Sequence, residues 1–118
     1  MSNGAFAGRY RLEVSPELLE FIERTFVEPA LPGARDDARA EALREMEGAE
    51  LVLEPDGTLV SRSHGQEFLR VVVDLAALTL GSVVFEKAPG VSVTLEQKDA
   101  DTLLTRQAGK PLLRFRRA

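Results

Sequence analysis

Near the C-terminus, in the run Leu112-Leu113-Arg114-Phe115-Arg116, two arginines flank a phenylalanine. These are the residues best suited to holding an anion, and parity decides whether they do. Side chains along a strand alternate between its two faces. With Leu113 and Phe115 inward, Arg114 and Arg116 form a solvent-facing row. With Leu112, Arg114 and Arg116 inward, two guanidinium groups enter the interior. There they need a carboxylate, a tyrosine hydroxyl or a bound anion, because an unpaired interior charge is costly. A third arrangement sets one arginine against Tyr10 at a closed end. Charged side chains are seldom buried, so the outward arrangement is the default. Arg62, Arg70 and Arg106 also stand mid-strand among apolar neighbours, and each alone is expected to face solvent.

Other reactive groups are sparse. His64 is the single histidine, in the turn Ser63-His64-Gly65-Gln66. Adjacent strand residues point apart, so Ser63 and His64 do not form a nucleophile–base pair. No Gly-x-Ser-x-Gly elbow, phosphate loop or His-x-x-x-His spacing occurs. There is no cysteine, which removes disulfides, thiolate catalysis and Cys-based zinc sites. Asp36 and Asp37 are explained by helix capping, and Asp99 and Asp101 by a turn. We therefore expect no catalytic residue, no metal site and no cofactor.

These groups need a scaffold, and its elements can be read from the pattern. Tyr10, Leu12 and Val14 alternate with Arg9, Arg11 and Glu13, the period of a half-buried strand. Ser15 then stands as an N-cap with Pro16 at the first helical position and Glu17 in the first turn. Leu18, Leu19, Ile22 and Phe26 share a face, predicting a helix over 16–27. A Pro/Gly connector leads to a second helix over 36–47, capped by Asp36 or Asp37 and stopped at Gly48. From Glu50 onward every segment reads as strand, broken by turn signals such as Pro55-Asp56-Gly57. That makes about eight strands in up-and-down order, with a helix–turn–helix after the first.

An antiparallel meander of that length curls, and pairing the last strand with the first removes its two edges. The expected fold is mainly β, a single domain over 1–118 with residues 1–7 as a disordered tail. The alternative is an open α+β sheet with both helices on one face. An eight-stranded barrel is filled by its own side chains or holds one small ligand.

Charge narrows the partners. The chain has a net charge of −4, but residues 1–57 carry thirteen acidic and six basic side chains, while 58–118 carry six and nine. An acidic front half argues against binding nucleic acid through phosphate neutralisation. The longest apolar region contains Arg70 and Asp74, and the N-terminus has no basic-then-apolar start. No membrane span or signal peptide is expected, and the location expected is cytoplasmic.

Gly8-Arg9-Tyr10 on the first strand and Asp56-Gly57-Thr58 in an early hairpin, together with the element order, resemble the calycin superfamily of lipocalins and fatty-acid-binding proteins. The latter place a helix pair after the first strand, as a lid over the barrel mouth. Lipocalins pack a first-strand tryptophan under an arginine from the last strand. Here no tryptophan exists, and Tyr10 would take its place. Fatty-acid-binding proteins hold a ligand carboxylate with Arg-x-Tyr on their final strands. Arg114-Phe115-Arg116 keeps the arginine without the phenol.

The resemblance implies a non-enzymatic carrier of a small hydrophobic or amphipathic molecule, anions included. Leu12, Val72, Phe85, Val93 and Phe115 would wall the cavity. Tyr10, Arg106, Arg114 and Arg116 would anchor a polar group. Two other functions remain open: an interaction module with a filled barrel that self-associates through the exposed strip at 71–78, and a cofactor-free isomerase or cyclase.

Overall fold

The computed structural model describes residues 6–118, so the tail expectation for residues 1–5 lies outside the described residues. Phe6, placed in that tail from sequence, is buried in the main core. The elements run β1 (Gly8–Glu13), α1 (Pro16–Ile22), α2 (Arg35–Glu47), β2 (Ala49–Leu53), β3 (Thr58–Ser63) and β4 (Gln66–Val72). A short α3 (Leu75–Thr79) then precedes β5 (Ser82–Ala88), β6 (Val91–Asp99), β7 (Thr102–Arg106) and β8 (Leu113–Arg117).

All eight strands join one antiparallel sheet in the order β4-β3-β2-β1-β8-β7-β6-β5, curled into a nearly closed barrel. The first and last strands pair as expected, with Tyr10 opposite Arg117 and Leu12 opposite Phe115. Closure is nevertheless incomplete. β4 and β5 are the two ends of the sheet, so a seam remains between them and the pairing of β1 with β8 does not remove both edges.

The cause of the seam is α3, which the reading of continuous strand from Glu50 onward did not include. Asp74 caps it, its carboxylate accepting from the backbone N–H groups of Ala76 and Ala77 at 2.9 and 3.3 Å. Leu-Ala-Ala-Leu then propagates helix well, and Leu75 and Leu78 lie three apart on its buried face. A helix here replaces the tight hairpin that would have zipped β4 onto β5. It also plugs the barrel base.

At the other end, α1 continues into a π-helical turn over Glu23–Val27, so the helix predicted over 16–27 forms with a widened last turn. Ser15 caps it as expected, accepting from the Leu18 N–H at 3.2 Å. For α2 the capping expectation is corrected. The N-cap is Ala34, with no side-chain cap, and Asp36 and Asp37 occupy the first turn. A 3-10 turn over Pro32–Ala34 feeds directly into α2 and makes a capping side chain unnecessary. Gly48 does end that helix, with a backbone that any residue adopts (φ −86°). Its lack of a side chain leaves room for the His64 ring: an added Cβ would lie 2.5 Å from Nδ1 of His64, so that exposed ring would have to move.

The core divides along the barrel axis. Tyr10, Leu51, Leu53, Leu59, Leu95, Leu103 and Phe115 fill the lower barrel above Leu75 and Leu78. Leu18, Ile22, Val27 and Ala42 form a second cluster between the helices, resting on Leu12 and Leu113 at the upper rim. The helix pair therefore lies across the mouth. No helix among the described residues is long and apolar enough to cross a membrane.

Candidate functional site

The register settles the parity of β8. Leu113 and Phe115 face inward with Leu12 and Leu103, so Arg114 and Arg116 stand on the outer face. Arg114 lies at the rim, where its Nη2 donates to Glu17 Oε1 at 3.0 Å. A backbone N–H at the start of α1, and then Arg114, hold the Glu17 carboxyl below the usual glutamate range. Arg116 reaches Glu13 at 3.6 Å. Arg106 is also outside, paired with Glu96 at 3.1 Å. The four polar anchors named from sequence are therefore not brought together. Phe115 is core, Phe85 is half-buried on the inner face, and Val72 points outward, 75% exposed.

The arginine that does enter the barrel is Arg117, one residue beyond the pair singled out. Its guanidinium carbon lies 4.9 Å from the centre of the Tyr10 ring. Nη2 donates to the Tyr10 hydroxyl at 2.8 Å and to the Ala100 carbonyl at 3.1 Å, and Nη1 donates to the Ala7 carbonyl at 2.8 Å. Tyr10 in turn donates to the Phe6 carbonyl at 2.8 Å. Gly8 makes this possible. It has φ +150°, and an added Cβ would sit 2.6 Å from Arg117 Nη1. This is the closed-end arrangement, tyrosine beneath arginine, with its hydrogen bonds spent on the protein itself. A signal existed: Arg117 shares its parity with Phe115, so an inward phenylalanine implies an inward Arg117.

Burial pushes the Tyr10 phenol above its ordinary value near 10, against the opposing effect of Arg117. The sign of the linkage follows. The unfolded chain gives up the phenolic proton first, so stability falls as pH rises through and beyond about 10. Tyr10 is the only tyrosine and there is no tryptophan, so a tyrosinate absorbance titration reads this residue alone. Its midpoint is expected above that of the urea-unfolded chain, and Tyr10→Phe should flatten the alkaline loss of stability.

His64 has no catalytic setting. It occupies a positive-φ turn position (51°), its N–H donates to the Gly48 carbonyl at 3.2 Å, and its ring crowds Gly48. No group of three or more His, Asp or Glu side chains able to hold a metal occurs among the described residues.

The hollow that remains is at the mouth. It measures about 270 Å³ and has other hollows beside it around the helix end of the barrel. Leu18, Phe21, Phe26 and Met46 supply its helical wall, and Val93, Thr105, Pro111 and Leu113 its strand wall. Phe21 and Phe26 meet edge to face, with centroids 6.1 Å apart, and the π turn of α1 carries Phe26. The charged groups lining the hollow are Lys87 and Lys110, with Gln107 beside them and no carboxylate. Lys110 sits on the β7–β8 hairpin and borders two neighbouring hollows as well. Of these lining residues the sequence points to Val93 as wall and to neither lysine, because the lysines' convergence depends on how two separate hairpins end at the same rim. No family model, curated protein or solved structure matches the chain.

Proposed function

We propose that this protein binds a small amphipathic molecule with an anionic end, in the mouth hollow between the helix pair and the barrel rim. The observation that carries this reading is the composition of that hollow: an apolar, aromatic-walled space whose charged lining groups are both ammonium groups. Small-molecule sites share this form, mostly apolar with a few placed polar groups. The base of the barrel contributes a rigid floor, because Tyr10, Phe115, Leu75 and Leu78 already occupy it. The ligand sits above that floor with its apolar part against Val93 and Leu113. Its charged end lies at the solvent edge, where Lys87 and Lys110 neutralise it without losing their hydration.

The test is a titration with an environment-sensitive anionic acyl probe, repeated with its uncharged ester. Wild type should bind the anion saturably, with a rise in melting temperature, because a native-state ligand stabilises. Lys87→Glu with Lys110→Glu should weaken the anion by about tenfold or more and the ester little. Arg114→Ala and Arg116→Ala should leave both unchanged, since those side chains are outside. A folded wild type that takes up no probe overturns the proposal, as does binding lost in Arg116→Ala but retained in the lysine double variant.

A further inference from the structure

We infer that the seam between β4 and β5 is a self-association surface, on which a second copy of this chain adds its β5 to β4 and its β4 to β5. The reasoning is independent of the mouth hollow. Both seam strands are sheet ends, so each presents backbone N–H and C=O groups that an extended strand satisfies best. The same region carries Phe68, Val72, Leu80 and Val84, exposed by 66, 75, 91 and 62%. Apolar side chains gathered on an unpaired edge are a feature that monomeric proteins suppress.

The edges are already shaped for limited pairing. β-bulges interrupt the regular register near the start of β4 and the end of β5. Between those bulges and α3, the regular edge spans residues 69–72 on β4 and 82–86 on β5. On the outer face β4 offers Arg70 and Val72, opposite Val60 and Thr58 of β3, and β5 offers Val84 and Glu86, opposite Thr94 and Ser92 of β6. An antiparallel register that sets Val72 against Val84 also sets Arg70 against Glu86. Among the described residues Arg70 forms an ion pair with Glu67 alone, at 2.9 Å on an exposed surface, and Glu86 forms none. The two edges thus complement each other in both polarity and charge.

Symmetry points to a second copy as the occupant. A two-fold axis parallel to the barrel axis brings two seams face to face. It sets β4 of each copy antiparallel to β5 of the other, at both joints at once. The contact is isologous and closes at two, which prevents the filament that a single open edge would invite.

Sedimentation velocity across a concentration series tests this. Wild type should run as a concentration-dependent dimer. Val84→Lys should raise the dissociation constant at least about tenfold, by placing a charge at the centre of each joint. Arg70→Glu and Glu86→Arg should each weaken the dimer, and the two combined should restore it, because cross-strand opposite charges support pairing and like charges oppose it. These positions are exposed, so circular dichroism should show each variant folded. A wild type that remains monomeric up to about 100 µM overturns the inference, and indicates a seam left open or zipped within one chain. A dimer indifferent to Val84→Lys, or a charge swap that fails to restore it, overturns the pairing.

Discussion

Arg117→Ala should destabilise the protein by about 3 kcal/mol. The side chain is 29% exposed, links β8 to the segment ahead of β1 and to the β6–β7 turn, and stacks on Tyr10. Its removal orphans the Ala7 carbonyl and the Tyr10 hydroxyl's acceptor side, and leaves a gap above the ring. Charged hydrogen bonds of this kind are worth about 1.5–3 kcal/mol, and a partly desolvated cation–π contact about 1. Urea denaturation measures the loss. Arg117→Lys should recover only part of it, because one ammonium cannot reproduce the planar fork that reaches several oxygens. Arg116→Ala, one residue away on the outer face, should change stability by no more than about 0.5 kcal/mol. Equal effects at 116 and 117 would contradict the parity assigned to β8.

Leu78→Ala should cost about 3 kcal/mol, within the 2–5 kcal/mol typical of a buried leucine truncated to alanine. Leu78 is fully buried in α3 and closes the base of the barrel against the core. Five residues of helix cannot relax far to fill the void, since Asp74 fixes one end and Leu80 caps the other. A drop in melting temperature of about 10 °C is the expected reading. The variant also separates the two ends of the molecule. Probe affinity at the mouth should hold at temperatures where the variant stays folded, because Leu78 does not line the mouth hollow. Loss of probe affinity in a folded Leu78→Ala would mean that the ligand reaches the barrel base.

Much of the fold was legible because local chemistry and long-range order agreed. Ser15-Pro16-Glu17 is a strong helix start, alternation from Gly8 to Val14 makes a strand, and turn residues mark most of the breaks between strands. Up-and-down order leaves few ways to arrange eight such strands, so the pairing of β1 with β8 could be anticipated. What failed was local and short. Asp74-Leu75-Ala76-Ala77-Leu78 offers a cap and good helix formers, yet it is embedded in valines and leucines that read equally as strand. Burial of Leu75 and Leu78 in the barrel base chose the helix. That choice, invisible in a single strand's pattern, keeps β4 and β5 apart.

The candidate site was less legible, for a different physical reason. Period-two alternation says that Arg114 and Arg116 share a face but not which face, and one residue of register reverses the answer. Local pattern was enough for the strands, the first two helices, the absence of thiol chemistry and the uneven distribution of charge. That Arg117 rather than its neighbours enters the barrel follows from long-range packing, because it depends on Tyr10 lying opposite it and on Gly8 leaving room. Only tertiary structure drew Lys87 and Lys110 to one rim beside Phe21 and Phe26. Convergence of residues from separate hairpins and a helix is set by how the sheet curls, and no local pattern encodes it.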